Sequence, residues 1–489
     1  MRLSDLINGA TGGAGGTEDV EIRGLAADSR EVEDGYLFAA LQGQKACGAD
    51  YISDALRHGA VAVLAPPGTA LPPDQSPVQF LTDVNPRRRL ALMAARFYPE
   101  QPRTIAAVTG TNGKTSVCVF TRQIWSHAGH NAASLGSLGI TATGYSSPLR
   151  HTTPDPVALH QALGELVDHG VDHLAMEASS HGLDQCRLDG VRLSAAAFTN
   201  LSRDHFDYHA DAASYFVAKQ RLFDTVMAEH STAVLNADVP EFDALAEICR
   251  RRGHGIITYG ERDADIRLCA ARPLETGQQL TLALEGTHHE VEIGLAGRFQ
   301  AFNLLAALGL AIATGVPAAT ALDALPALQG APGRLQLVTR CPNGAPVFVD
   351  YAHTPDALAT ALRALRPHAK GRLVVLFGCG GDRDMGKRPL MGAAAAELAD
   401  SVIVTDDNPR TETPAPIRTA IREACPDARE FADRGEAIRE AIAGLAAGDV
   451  LLLAGKGHET GQIVGNEIIP FDDAEVARSA VLAAGGPRS

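Results

Sequence analysis

A short glycine-rich segment followed by a lysine has the composition of a phosphate-binding loop. Residues 108–116 read VTGTNGKTS and lie between an apolar run and a segment with helical periodicity. Glycine allows backbone N–H groups to close around phosphate oxygens, and the start of the following helix adds positive potential. Lys114 would reach the β- and γ-phosphates, and the Thr115 hydroxyl would bind Mg²⁺. Val108 stands where the common G-x-x-x-x-G-K-[ST] spacing has its first glycine, so a turn capped by Thr111 or its neighbour Asn112 is the alternative.

Carboxylate, imidazole and amine side chains follow further along the chain. Glu177 ends an apolar run, a position where a magnesium-binding carboxylate would sit. Residues 199–209, TNLSRDHFDYH, contain two His, two Asp and one Arg. Lys219 lies in an apolar helical segment; taken alone, it would be a lysine whose stem covers apolar surface while its ammonium reaches water. Three such clusters after one phosphate loop predict a metal-assisted phosphoryl-transfer site.

The last third of the chain alternates apolar runs with helical stretches. Four runs end in polar or glycine residues: VFVDYAHT, VVLFGCGG, VIVTDDNP and VLLLAGKGHE. Short continuous apolar strands between helices predict a parallel sheet that is covered on both faces. Ligands bind such sheets at the carboxyl ends of the strands. The candidate ligand contacts at those ends are Arg383, Asp407, Asn408, Pro409, Arg410, Gly455 and Glu459.

These elements predict an α/β protein of three domains. Residues 1–100 form an N-terminal α/β domain of short strands and helices. Residues 101–332 form a central P-loop domain with a mostly parallel sheet. Residues 333–489 form a C-terminal, Rossmann-like α/β domain. The expected junctions are the segments PEQPR and APGR.

Composition narrows the class of protein. The chain has 489 residues, and 43 Lys and Arg against 58 Asp and Glu give a formal charge of −15, which disfavours broad binding to nucleic acid or acidic membranes. The longest apolar stretch, residues 304–314, is too short for a membrane span, and the start has no apolar signal region. The eight cysteines form no C-x-x-C pair. We expect a soluble protein of a reducing compartment.

In chain order, nine motifs resemble those of the Mur ligases, and more narrowly those of the MurE branch. They are GTNGKTS, HTTPDP, EASSHGL, TNLSRDHFDYH, AKQRLF, VDYAHTPDAL, FGCGGDRDMGKRP, DDNPR and AGKGHE. The resemblance covers nearly the whole chain, including DSREVEDGYLFAAL near the start. It implies a monomeric, cytoplasmic, ADP-forming ligase of peptidoglycan precursor synthesis. ATP would phosphorylate the terminal carboxylate of UDP-N-acetylmuramoyl-L-alanyl-D-glutamate, and the amine of meso-2,6-diaminopimelate would attack the acyl phosphate.

The resemblance also implies roles for single residues. Lys114, His205 and Lys219 are the expected catalytic residues. The expected magnesium ligands are Thr115, Glu177, His205 and Lys219, the last as a carbamate formed with CO₂. The expected ATP contacts are Gly110, Thr111, Asn112, Gly113, Lys114, Thr115, Ser116, Asn303 and Arg334. The N-terminal domain would bind the UDP part through Ser29, Gln44, Lys45 and Ala46, and the muramoyl-dipeptide part falls to Thr152, Thr153, Ser179, Gln185 and Arg187.

The residues after VIVT bear on the choice of amino acid. Meso-diaminopimelate differs from lysine by one distal carboxylate, which the planar fork of Arg410 can pair with bidentately. Asp407 or Glu459 can hold the distal ammonium. In the resembled family, members that add diaminopimelate carry DNPR at this place, and members that add lysine generally lack the arginine.

Three alternatives remain open at this point. Folylpolyglutamate synthetase shares the phosphate loop and the amide-forming chemistry but lacks the DNPR and GCGGDRD motifs. Another Mur ligase would add L-lysine or a different amino acid. A non-catalytic ATP-binding scaffold would have lost the metal-binding side chains, which this chain retains.

Overall fold

The computed structural model describes residues 1–7, 19–43, 46–70, 78–202, 204, 208–275 and 277–485. The contacts of the chain divide it into two compact units. The first comprises residues 1–114, 125–257 and 310–316, and the second comprises residues 115–124, 258–309 and 317–489. The domain boundaries at residues 100 and 332 stay a prediction.

The first unit begins with a small sheet of four parallel strands in chain order. The strands are β1 (Gly24–Ala26), β2 (Tyr36–Ala39), β3 (Ala62–Ala65) and β4 (Gln79–Thr82). The helices of this region are α1 (Leu3–Ile7), α2 (Ile52–Arg57) and α3 (Pro86–Phe97). Helix α3 starts where Asn85 accepts a hydrogen bond from the Arg88 amide and Pro86 takes the first turn, as expected for a capped helix start.

Seven strands of a second sheet lie wholly within the first unit. In chain order they are β5 (Thr104–Thr109), β6 (Ala132–Gly136), β7 (Gly139–Ala142), β8 (Tyr145–Ser147), β9 (His173–Glu177), β10 (Ala195–Phe198) and β11 (Thr232–Asn236). Their spatial order is β11, β10, β5, β9, β6, β7, β8, with parallel pairing from β11 to β6. The helices are α4 (Lys114–His127), α5 (Pro156–Asp168), α6 (Ser180–Asp184), α7 (Ala212–Arg221) and α8 (Phe242–Arg251).

Strand β12 (Gly255–Gly260) leads into an antiparallel group that the sequence analysis did not anticipate. The group consists of β13 (Ile266–Pro273), β14 (Gln278–Leu284) and β15 (Thr287–Ile293). Every second residue of β14 is buried, which is typical of an antiparallel strand with one face toward solvent. Two helices follow, α9 (Arg298–Ala313) and α10 (Ala318–Ala324).

The C-terminal region contains a six-stranded sheet in the spatial order β16, β17, β21, β18, β19, β20. Its strands and those of a separate hairpin are β16 (Gln336–Arg340), β17 (Pro346–Asp350), β18 (Leu373–Phe377), β19 (Ser401–Val404), β20 (Arg429–Glu430), β21 (Val450–Ala454), β22 (Gly461–Val464) and β23 (Glu467–Pro470). The helices are α11 (Pro355–Leu365), α12 (Lys387–Leu398), α13 (Pro414–Arg422), α14 (Arg434–Ala443) and α15 (Asp473–Ala483). Only β16 runs antiparallel to its neighbour in this sheet.

Neighbouring residues of the C-terminal strands belong to two different hydrophobic clusters. Val375 and Phe377 pack into one cluster, while Val374 and Leu376 pack into the other. Because successive side chains of a strand point to opposite faces, the sheet is covered on both sides. The predicted α/β class with largely parallel sheets is therefore confirmed. Within the described ranges, none of the helices combines the length and apolar character that a bilayer crossing requires.

Candidate active site

The phosphate loop joins the end of β5 to the start of α4, as predicted. Gly110 and Gly113 adopt φ angles of 144° and 90°, a region that favours glycine. A Cβ at Gly110 would lie 1.9 Å from the Thr199 hydroxyl, so a side chain is excluded there. The Lys114 ammonium donates to the carbonyl oxygens of Gly110 at 3.0 Å and Thr111 at 2.8 Å. The lysine side chain is therefore folded back against the loop.

The segment after β10 holds the loop in this shape. The amides of Thr111 and Asn112 donate to the backbone oxygen and the side-chain oxygen of Asn200, at 2.8 and 3.0 Å. The Ser202 amide donates to the Thr111 hydroxyl at 2.9 Å, and the Thr199 hydroxyl donates to the Asn112 carbonyl at 2.6 Å. These hydrogen bonds connect the loop after β5 to the segment after β10, which a simple capped turn would not require.

Lys219 is buried, which overturns the alternative of a helix lysine that reaches water. It is 1% exposed, its Nζ donates to the Gly110 carbonyl at 2.7 Å, and it lies 4.3 Å from the centre of the Tyr215 ring. The Lys114 ammonium donates to the same carbonyl oxygen. Burial lowers the pKa of Lys219 well below its ordinary value, the Lys114 charge lowers it further, and Asp204 acts in the opposite direction. The structure therefore favours a neutral amine at this position.

Glu177 ends β9, the strand next to β5, and is 1% exposed. Its Oε1 accepts a 2.8 Å hydrogen bond from the Ser137 amide, and its Oε2 accepts a 3.3 Å bond from the Ser137 hydroxyl. A Cβ at Gly136 would lie 2.2 Å from Oε1. Because β5 and β9 are adjacent and parallel, the carboxylate and the phosphate loop lie at the same edge of the sheet. His205, the further predicted ligand, lies outside the described residues.

A cavity of about 520 Å³ lies in the first unit, close to the predicted muramoyl-peptide contacts. Its lining comprises Ala27, Leu41, Gln42, Gly43, Arg87, Asp155, Pro156, Gln185, Arg187 and Tyr208. Arg187 donates to the Thr153 carbonyl at 2.7 Å and to the Gln185 amide oxygen at 2.8 Å. Burial lowers the pKa of Arg187, and the charge of Arg87 acts in the same direction. Two guanidinium groups therefore face one cavity in a chain of strongly negative net charge.

Hydrogen bonds connect the other predicted muramoyl-peptide contacts to Glu177. The Thr153 hydroxyl donates to the Glu177 carbonyl at 2.8 Å and accepts from the Ser179 amide at 3.1 Å. The Ser179 hydroxyl in turn accepts from the Gly182 amide and caps α6. The Thr152 hydroxyl lies 3.3 Å from that of Ser137. The sequence-predicted set is therefore one connected network rather than scattered polar residues.

Among the described residues, the predicted uracil contacts lie near the cavity but are not connected to one another as the muramoyl-peptide contacts are. Ser29 is buried, and its hydroxyl donates to Asp54 at 3.0 Å. Ser29 follows Ala27 of the cavity lining by two residues in the chain. The Ala46 carbonyl accepts from the amide of Gly43, another lining residue, at 2.9 Å. Gln44 and Lys45 lie outside the described residues.

Sequence reasoning missed two residues of this cavity. Tyr208 donates to Asp184 at 2.6 Å and accepts from the Gln185 amide at 3.1 Å. Arg87 donates to the Gln42 carbonyl. Tyr208 belongs to the motif TNLSRDHFDYH, and Arg87 opens a basic run at the start of α3. The motif and the basic run are both visible in the sequence, but neither indicates that its residue lines a cavity.

The second unit contains the remaining predicted ATP contacts. Thr115 and Ser116 lie in the first turn of α4 and are buried. Asn303 donates to Gln300 at 3.0 Å, and Gln300 donates to the Arg334 carbonyl at 3.2 Å. The Arg334 guanidinium lies 4.6 Å from the centre of the Tyr351 ring. The ATP roles of these residues stay predictions.

The predicted amino-acid contacts of residues 407–410, Gly455 and Glu459 meet at the carboxyl ends of β19 and β21. A Cβ at Gly455 would lie 2.6 Å from Asp407 Oδ2, and Gly455 has a φ of 110°, so the turn after β21 needs glycine. The Asn408 amide donates to Glu459 Oε2 at 2.8 Å. Asp407 and Asn408 are buried. Two segments about 50 residues apart thus form one polar site.

Arg410 is held at this site by its backbone and by one arm of its side chain. Its φ is 52°, its amide donates to the Ile463 carbonyl at 3.0 Å, and its Nη1 donates to the Gly381 carbonyl at 2.9 Å. A Cβ at Gly380 would lie 2.6 Å from this Nη1. Pro409 precedes it in the turn and is buried, whereas Arg383 is exposed in the loop after β18. The turn is therefore more than an Asn-Pro turn, because it presents a guanidinium held in one place.

A glycine-rich loop that ends in a lysine, between a parallel strand and a helix, defines a P-loop nucleotide-binding protein of the α/β class. Family profiles match most of the chain: "Mur ligase family, catalytic domain" at residues 21–98, "Mur ligase middle domain" at 108–311, and "Mur ligase, glutamate ligase domain" at 333–457. The chain belongs to the Mur ligase family.

Two relatives are similar to this chain over nearly their full length. A protein of Mesorhizobium japonicum is 51% identical over 481 residues, which cover 98% of this chain and 99% of the relative. A protein of Brucella melitensis biotype 1 is 52% identical over 488 residues, 99% of each chain. Both are named UDP-N-acetylmuramoyl-L-alanyl-D-glutamate–2,6-diaminopimelate ligase.

Two solved structures illustrate the similarity of the fold. A structure of a UDP-N-acetylmuramoyl-L-alanyl-D-glutamate–2,6-diaminopimelate ligase has a TM-score of 0.71 at 35% identity, and the match covers 95% of this chain and 96% of that one. A Mycobacterium tuberculosis folylpolyglutamate synthase has a TM-score of 0.63 at 20% identity, with coverage of 82% and 96%. The second likeness shows a shared fold only.

Proposed function

We propose that this protein joins meso-2,6-diaminopimelate to UDP-N-acetylmuramoyl-L-alanyl-D-glutamate, with conversion of ATP to ADP. The observation that carries the proposal is the site formed by Asp407, Asn408, Arg410, Gly455 and Glu459 at two strand ends. It combines a held guanidinium with carboxylates, which suits an amino acid bearing a distal carboxylate and a distal ammonium. Relatives about 50% identical over their whole length carry the name of this reaction.

In the first half-reaction, an oxygen of the substrate's terminal carboxylate attacks the γ-phosphorus of ATP, and ADP leaves. Both reactants are anionic, so cationic groups must neutralise the approach. The Lys114 ammonium at the phosphate loop supplies one positive charge at the γ-phosphate. The amides of residues 110–114 and the N-terminal end of α4 stabilise the departing β-phosphate. In the second half-reaction, the amine attacks the acyl carbon and phosphate leaves.

The residues near the phosphate loop fit a magnesium ion. Glu177 offers a buried carboxylate at the edge of the sheet where the loop lies, and oxygen ligands of this kind are those that Mg²⁺ prefers. Thr115, His205 and, as a carbamate, Lys219 stay the other predicted ligands. When bound, Mg²⁺ would polarise the phosphoryl oxygens and offset their charge.

We further propose that Lys219 acts as a carbamate. Its amine would attack the carbon of CO₂ and release one proton, so that a carboxylate-like group replaces an amine. The reaction needs the neutral amine, and the lowered pKa of Lys219 shifts the equilibrium toward that form. Two amines that share the Gly110 carbonyl would repel each other if both were charged, whereas a carbamate would attract Lys114 and offer oxygen ligands for Mg²⁺. Lys219→Ala should lose activity and regain part of it with added short carboxylic acids, and full activity without them would refute the role.

The reaction is tested by ADP release from the purified protein. The mixture contains ATP, Mg²⁺ and UDP-N-acetylmuramoyl-L-Ala-D-Glu, with either meso-diaminopimelate or L-lysine. Release that depends on diaminopimelate and is weak with lysine is the expected result. Strong release with lysine would keep the ligase and contradict the role of Arg410. We also propose a cytoplasmic monomer, which cell fractionation and light scattering would test.

A further inference from the structure

A fully buried lysine lies beneath the amino-acid site and has no role in the function proposed above. Lys456 follows Gly455 in the turn after β21 and is 0% exposed. Its ammonium donates to three oxygens: Asn408 Oδ1 at 3.2 Å, Glu459 Oε2 at 3.2 Å and the Gly461 carbonyl at 2.5 Å. A buried ammonium is costly unless all of its donors are paired. Here the three N–H groups have three acceptors.

The three acceptors belong to three segments that each carry a predicted diaminopimelate contact. Asn408 is in the turn after β19, and Glu459 is in the turn after β21. Gly461 begins β22, the strand whose Ile463 carbonyl accepts the Arg410 amide. One ammonium therefore contacts Asn408 and Glu459 directly, and it contacts the strand that binds the Arg410 backbone.

Lys456 also determines how the Asn408 side chain is oriented. Asn408 Oδ1 accepts from both the Lys456 ammonium and the Ile463 amide, the latter at 2.9 Å. An ammonium is a donor only, so the oxygen of the Asn408 amide must face it. The nitrogen then faces Glu459 and donates to Oε2 at 2.8 Å. Without the ammonium, one of the two donors that impose this orientation is lost.

The same contacts orient the Glu459 carboxylate. Asn408 and Lys456 both donate to Oε2. Among the described residues, these bonds leave Oε1 outside the network, and the Glu459 side chain is 33% exposed. The Glu459 carboxylate is therefore held through Oε2, and Oε1 can face a ligand.

We propose that Lys456 is a positioning residue that sets the acceptor site for its diamino acid. It acts by holding Glu459, Asn408 and the strand behind Arg410 in one arrangement. The inference depends on the proposed function, since it concerns the same amino-acid site.

The test is Lys456→Met, which is one atom shorter, keeps the unbranched apolar stem and removes the charge and the donors. We expect the KM for meso-diaminopimelate to rise at least tenfold, while the KM values for ATP and the UDP-linked substrate stay within about twofold. Lys370→Met, an exposed lysine of the same unit, should leave all three unchanged. A KM for diaminopimelate within twofold of the original protein, or an equal rise for all three substrates, would overturn the proposal.

A double-mutant cycle with Glu459→Gln distinguishes positioning from a general structural defect. If Lys456 acts through Glu459, the double variant should have nearly the same diaminopimelate KM as the more impaired single variant. If the fold increases in the diaminopimelate KM of the two single variants multiply in the double variant, the inference is contradicted. Unfolding midpoints are measured for each variant, and Lys456→Gln replaces Lys456→Met if the latter does not fold. If the original protein shows no ADP release that depends on diaminopimelate, the proposed function itself is refuted. If the original protein is active and the Lys456 variants behave like it, only the role of Lys456 is refuted.

Discussion

Removal of the Arg410 guanidinium is the most direct test of amino-acid selection. In Arg410→Ala the backbone bond to Ile463 remains, and the side-chain bond to the Gly381 carbonyl is lost. A hydrogen bond from a charged group is worth about 1.5–3 kcal/mol of stability, which is less than the roughly 5–15 kcal/mol of a typical folded protein, so the variant should fold. Its effect should appear instead in the reaction with diaminopimelate, whose distal carboxylate loses its partner.

The size of this effect follows from the charge and exposure of the guanidinium. A hydrogen bond between charged partners contributes about 1.5–3 kcal/mol, and a bidentate pair has two of them. Because Arg410 is half-buried, solvent screening reduces the total to about 3 kcal/mol. At about 1.4 kcal/mol for each factor of ten, kcat/KM for diaminopimelate should fall about 100-fold.

The assay is ADP release with diaminopimelate and with L-lysine at matched concentrations. Lysine lacks the distal carboxylate, so its kcat/KM should change little or rise slightly, because an unpaired guanidinium no longer stands in its way. Arg363→Ala, an exposed arginine on α11, serves as the control. A fall of less than fivefold with diaminopimelate, or equal falls with both amino acids, would refute the assignment of Arg410.

Three further predictions concern other parts of the molecule. Arg87→Ala should raise the KM for the UDP-linked substrate about tenfold, the effect of one charge-assisted bond, whereas Arg23→Ala at an exposed site should not; equal KM values would remove Arg87 from the substrate cavity. Gly455→Ala places a Cβ 2.6 Å from the Asp407 carboxylate at a φ of 110°, and steady-state kinetics should show a loss of diaminopimelate activity of at least tenfold with ATP binding retained. Burial lowers the pKa of His160 from 6.5 to about 4, so the folded state binds fewer protons than the unfolded state. The free energy of unfolding therefore falls as the pH drops from 6.5 toward 4. Denaturant unfolding should show a loss of about 2 kcal/mol between pH 7 and pH 5, and His160→Met should remove this loss.

The parallel part of the fold could be predicted because its signal is local. Runs such as VVLF and VLLLA are continuous and apolar, and helical stretches separate them. Their ends were located well enough to place Glu177, residues 407–410 and Gly455 at carboxyl edges. The antiparallel strands β13–β15 were missed, because their alternating polar faces resemble those of solvated loops and their pairing depends on partners along the sheet.

The burial of Lys219 and Lys456 could not be read from the sequence. A lysine in an apolar helical segment and a lysine in a glycine-rich turn both suggest side chains that reach water. The Gly110 carbonyl in one case, and the Asn408, Glu459 and Gly461 oxygens in the other, become partners only after distant segments meet. Arg87 and Tyr208 were missed for the same reason.

The sequence by itself determined the chemical inventory of this protein: a phosphate loop, a carboxylate at a strand end, and a DNPR turn with a glycine-rich partner motif. Residue types and short spacings carry that information, because a loop or strand end is a local structure. Only the tertiary structure decided which of these groups share an environment. Electrostatic effects depend on distance and burial rather than on position in the chain, so the buried environment of Lys219 and the orienting contacts of the Lys456 ammonium exist only in the folded protein.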